Sequence, residues 1–61
     1  TPYHTCYTVS DVQTTYEDLK ELGFTPLFSP VAAPAFNNRL ICYFWKKDIG
    51  LIEIVEQDKG E

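Results

Sequence analysis

Residues 39–45 read Arg39-Leu40-Ile41-Cys42-Tyr43-Phe44-Trp45, and no position after the arginine is polar. Side chains of an extended strand alternate between two faces. A strand that is apolar at both parities needs cover on both sides. The run is also far shorter than the roughly 20 residues that cross a bilayer. It therefore reads as an inner strand of a sheet, and the flanking sequence must supply what covers it.

Downstream, residues 46–50 (KKDIG) form a turn and residues 51–56 (LIEIVE) a last strand. Leu51, Glu53 and Val55 share one face of that strand, and Ile52, Ile54 and Glu56 the other. Upstream, Asn37-Asn38 is a turn signal because asparagine tolerates positive φ. Residues 31–36 (VAAPAF) read as an apolar loop. Residues 24–29 (FTPLFS) read as a short edge strand, since Pro26 and Pro30 withhold ladder donors.

Residues 11–22 carry the helix. Val12, Tyr16, Leu19 and Leu22 fall on one stripe, with Glu17, Asp18, Lys20 and Glu21 on the wet side. Ser10 is the expected cap, with Gln13 as its capping-box partner, and Gly23 the expected stop. Residues 3–9 (YHTCYTV) are the first strand. His4, Cys6 and Thr8 lie on one of its faces. Tyr3, Thr5, Tyr7 and Val9 lie on the other, which is the more apolar and so meets the helix.

The order is β-α-β-β-β. The expected fold is α+β, with one helix covering one face of a four-stranded mixed sheet. The opposite face, carrying His4, Cys6, Thr8 and Glu53, has nothing from this chain to cover it and is expected to meet a partner.

The composition narrows the function classes. The 61 residues are 44% hydrophobic and 15% aromatic, which is globular, and a chain this short is marginal alone unless something staples it or pairs with it. Five Lys and Arg against nine Asp and Glu give a net charge of −4, with no basic stripe to neutralise phosphates. Nucleic acid and anionic membrane are therefore not expected partners. Cys6 and Cys42 sit inside strand-like runs, and the favoured reading is two buried free thiols in a reducing compartment, the cytoplasm. The lack of methionine points to a processed start or to an excerpt of a longer chain.

Two residues stand out chemically. His4 opens the first strand and Glu53 lies in the middle of the last. A carboxylate at the centre of an apolar strand is costly unless paired, solvated or bound to a cation. Imidazole with carboxylate suits a divalent metal, although a site needs three or four ligands. The competing reading is a histidine hydrogen-bonded at a strand edge and a glutamate facing water. Arg39 offers a fork for a carboxylate or phosphate, or else an exposed turn residue.

Three segments in this order resemble one family. They are His4-Thr5-Cys6-Tyr7-Thr8-Val9-Ser10-Asp11, then the Pro30–Pro34 loop with Asn38-Arg39, then Asp48-Ile49-Gly50-Leu51-Ile52-Glu53-Ile54-Val55-Glu56. Together they are similar to one βαβββ module of the vicinal oxygen chelate superfamily, the group of glyoxalase I, bleomycin-resistance proteins and extradiol dioxygenases. The likeness is greatest to the C-terminal half of methylmalonyl-CoA epimerase-type and lactoylglutathione lyase-type members.

The resemblance implies that His4 and Glu53 are metal ligands and that Glu53 also moves a proton next to a carbonyl. It implies a divalent ion such as Zn, Ni, Co, Fe or Mn, and a small-molecule substrate or ligand. Residues 1–61 are then a half-domain that pairs with a second βαβββ module, as a homodimer or within a longer chain. Thr8 stands where relatives often carry a glutamate, which leaves Glu53 as the acid–base candidate. The expected function is a metal-dependent isomerase or lyase of glyoxalase or epimerase type. The alternative is a non-catalytic module that binds a small molecule, as resistance proteins do, or that only dimerises.

Overall fold

The computed structural model describes residues 5–58. Along the chain come β1 (Thr5–Val9), α1 (Val12–Glu21), β2 (Thr25–Pro26), β3 (Val31–Ala33), a 3-10 turn (Pro34–Phe36), β4 (Arg39–Lys46) and β5 (Gly50–Glu56). The chain is α+β, with one helix on a mixed sheet. The expected start of the first strand at Tyr3 and the end of the polar tail lie outside the described residues.

The sheet runs β1-β5-β4-β2, with β3 also paired to β4. β1 is parallel to β5, and every pairing of β4 is antiparallel. The sheet thus has five strands where the sequence predicts four. Val31–Ala33, read as loop, pairs with β4 through Val31↔Ile41 and Ala33↔Arg39. β2 pairs further along the same flank, Thr25 opposite Trp45. One edge strand is thereby cut in two: the Leu27 amide still donates to the Tyr43 carbonyl at 2.9 Å, and the ladder lapses before Pro30, which has no donor to give. The Cys42 thiol donates to the Phe28 carbonyl at 3.0 Å and ties that interruption to β4.

α1 starts one residue later than predicted. Val12, the first helical residue, is only 2% exposed and belongs to the core. The cap is Asp11, in extended conformation, whose carboxylate accepts from the Thr14 amide at 3.0 Å. Ser10 and Gln13 form no capping box. Gln13 instead donates to Glu17 one turn on. The C-terminal end is a Schellman turn: Gly23 donates to the Lys20 carbonyl and Phe24 to the Leu19 carbonyl. Gly23 has φ +96°, which a side chain would resist. Asn37 and Asn38 sit at φ 59° and 62°, as their residue type allows.

The core lies between α1 and one sheet face. Val12 packs there with Cys42, Phe44, Ile52 and Ile54, and Val9, Tyr16, Leu19, Phe24 and Leu40 close around them. Tyr16 meets Phe44 with ring centroids 5.9 Å apart. Even-numbered positions of β4 and β5 from 40 to 54 thus point to the helix, and odd-numbered positions from 41 to 55 point away. Arg39 is structural: its Nε donates to the Phe36 carbonyl at 2.9 Å and holds the 3-10 turn.

Candidate functional site

The face turned away from α1 carries the candidate site. β5 is flanked by β1 on one side and β4 on the other. Its ladder places Cys6, Glu53 and Tyr43 in one lateral row, since Cys6 pairs with Glu53 and Glu53 with Tyr43. Side chains in such a row stand on the same face. The next row is Thr8, Val55, Ile41 and Val31. On the other side of Glu53, Leu51 lies opposite Trp45. Phe28 leans over the row, its ring 5.8 Å from that of Tyr43.

Glu53 is 4% exposed, the only buried charged side chain among the described residues. Around it the face is apolar and open: Trp45 is 50% exposed and Val31 46%. Among the described residues the only α-helix lies on the opposite face, so the carboxylate and its 4%-exposed neighbour Val55 are covered by side chains of their own face and by no helix.

Its neighbours respond to it. Burial raises the Cys6 thiol above its ordinary pKa, and the Glu53 charge and hydrogen bond raise it further. The Tyr43 hydroxyl is raised by burial first, then by the Glu53 charge and hydrogen bond. Both groups keep their protons and direct donors at the carboxylate. The carboxylate is therefore flanked by two neutral donors.

The expected ligands fare differently. Glu53 lies where the sequence places it, central and inward on the open face. His4 lies outside the described residues. Among the described residues, no three His, Cys, Asp or Glu side chains come together as a metal site. The cysteines part company: both are free, but only Cys42 is buried, whereas Cys6 is exposed beside Glu53. Cys6 is thus not the core thiol the sequence suggests, because edge strand β1 has nothing over this face. The place of Tyr43 beside Glu53 was not legible locally, since it depends on the register of β4 against β5.

No family model and no curated protein matches this chain. Among the described residues no helix is long and apolar enough to cross a membrane.

Proposed function

We propose that the chain is one half of a glyoxalase-type site, a βαβββ module whose open face pairs with a second module across a divalent ion. The observation that carries this reading is Glu53, a carboxylate 4% exposed on a sheet face that is otherwise apolar and open. Such a group is expensive to keep, and two neutral donors repay only part of that cost, so a use for its charge supports the reading. The parallel pairing of β1 with β5 adds support, because it sets the first strand directly beside Glu53.

A carboxylate on a dry floor suits a divalent cation, but one carboxylate is not a site. Glu53 and His4 of this chain would hold the ion, with the remaining ligands supplied by a second copy or by another module of a longer protein. When bound, the ion supplies Lewis-acid stabilisation of negative charge on a substrate oxygen. Glu53 takes and returns a proton at the carbon next to that oxygen's carbonyl. Tyr43 and Cys6 stay protonated and orient the carboxylate through their donors. Trp45, Ile41 and Val31 exclude water and give the substrate an apolar bed. The substrate is a small molecule with a carbonyl, and the class is isomerase, lyase or epimerase. The free thiols fit a reducing compartment such as the cytoplasm.

The test joins native mass spectrometry to metal analysis. The expected result is a two-module assembly holding about one divalent ion per pair, lost in both His4→Ala and Glu53→Gln. A monomer whose metal content is the same in both variants overturns the proposal. If the assembly forms without metal and still binds a small carbonyl compound at the open face, the non-catalytic reading replaces it.

A further inference from the structure

The helix side of the sheet holds a second feature, unrelated to Glu53. An α-helix is about 10 Å across, and strands are spaced about 4.8 Å apart. One helix therefore covers about two ranks of a sheet that is four ranks wide. α1 lies over β2, β4 and β5. The flank over β1 is left open, and there a trough of about 500 Å³ runs between α1 and the sheet. Its walls include Leu19 and Leu22 of the helix end, Tyr7 of β1, and Ile49 before β5. Leu22, Ile49 and Tyr7 are 67%, 59% and 53% exposed, so the rim is apolar as well as the floor.

The polar groups of this trough select its occupant. Among the described residues no charged side chain lines it, and its side-chain polar atoms are the hydroxyls of Tyr7 and Thr15. The edge of β1 adds a further pair. In a parallel ladder each residue sends its N–H and C=O to the same side, alternating along the strand. The Val9 carbonyl accepts from Gln57 beyond β5 at 2.7 Å, so the groups of Val9 and Tyr7 face β5. Those of Thr8 face outward, at the mouth of the trough. The site is thus an apolar slot with a neutral donor and acceptor at its entrance.

We infer that this trough binds an uncharged apolar small molecule with one neutral polar end, of the class of medium-chain alcohols, ketones and esters. Its size lies within the roughly 300–1,000 Å³ of small-molecule sites, and its mix of apolar walls with a few polar anchors is the usual one. A carboxylate end is disfavoured twice over. Among the described residues no cation lines the slot, Lys46 lying behind the Phe24 ring rather than in the lining, and the chain carries a net charge of −4. The inference is independent of the metal reading, since the trough and Glu53 lie on opposite faces.

The probe is the neutral dye N-phenyl-1-naphthylamine, titrated into the full chain and read by fluorescence. Saturable binding at about one dye per chain is expected, displaced by 1-decanol and about tenfold less well by decanoate. Leu22→Asp, which puts a charge on the rim, weakens the dye about tenfold or more, whereas Trp45→Ser on the other face leaves it unchanged. Amide chemical-shift mapping with decanol keeps the question answerable should a variant unfold. Shifts are expected at Tyr7, Thr15, Leu19 and Leu22. No saturable binding, preference for decanoate, or shifts centred on Tyr43 and Val31 overturns the inference.

Discussion

Replacing Glu53 by leucine is expected to stabilise the metal-free chain. Glu53 is 4% exposed, and a buried carboxylate carries an effective desolvation penalty of several kcal/mol. Against that stand the two donors, Cys6 and Tyr43. Cys6 is exposed and Tyr43 half-buried, so both regain water when the carboxylate goes, and losing their hydrogen bonds costs about 1 kcal/mol each. Leucine buries a full apolar side chain among Val55, Ile41 and Leu51, worth roughly 1.5–3 kcal/mol. The net expectation is a gain of about 1 kcal/mol or more. In a domain of this size that raises Tm by about 4–8 °C. Thermal unfolding is followed by circular dichroism in EDTA, at one fixed protomer concentration, because assembly also shifts Tm. Glu53→Gln, which keeps size and hydrogen bonding, serves as the near-neutral control. A group retained for stability behaves oppositely. If Glu53→Leu lowers Tm by several degrees, the carboxylate anchors its own row, and the argument that it awaits a cation or substrate fails.

Two further outcomes check the structure more locally. Asp11→Ala removes the helix cap and is expected to cost about 1 kcal/mol, whereas Ser10→Ala stays within about 0.5 kcal/mol; equal losses in thermal melts would restore Ser10 as the cap. Alkaline pH should destabilise the chain. Cys6, Cys42 and Tyr43 all hold their protons above the ordinary values of 9.0 for the thiols and 10.0 for the phenol. From about pH 9 upward the unfolded chain therefore ionises first and stability falls. A Tm that is flat between about pH 8.5 and 10.5 would contradict this.

What was legible in the sequence was whatever a single strand or helix decides by itself. The alternation in GLIEIVE is enough to separate Glu53 from Ile52 and Ile54, and the helix stripe sends Val12, Tyr16 and Leu19 to the core, whereas Leu22, on the same stripe at the helix end, is 67% exposed. What was not legible depends on pairing between distant segments. Val31–Ala33 is too short to show a period, and it becomes a strand only because residues 39–41 of β4 offer their edge. Tyr43 and Cys6 enter the candidate site through register alone. The two cysteines read alike in sequence, yet Cys42 sits on an inner strand under the helix while Cys6 sits on an edge strand over an open face. Ser10 and Asp11 are both good caps by residue type, and only the backbone geometry, which brings the Asp11 carboxylate to the Thr14 amide, separates them.

The two faces of this sheet follow from one shortage. Ten helical residues must cover a sheet whose inner strand β4 is apolar at every position from Leu40 to Trp45. The helix covers Leu40, Cys42 and Phe44, and the odd positions are left for something else. A chain shaped only for its own stability would make those odd positions polar, as half-solvated strands are. Here Ile41, Tyr43 and Trp45 stay apolar, and the one charge among them, Glu53, sits on the strand held from both sides. Placement on a doubly paired strand fixes a carboxylate more closely than a loop does. Rigid backbone, dry surroundings and an exposed apolar margin are the features that the proposed encounter with a guest or a mate would use.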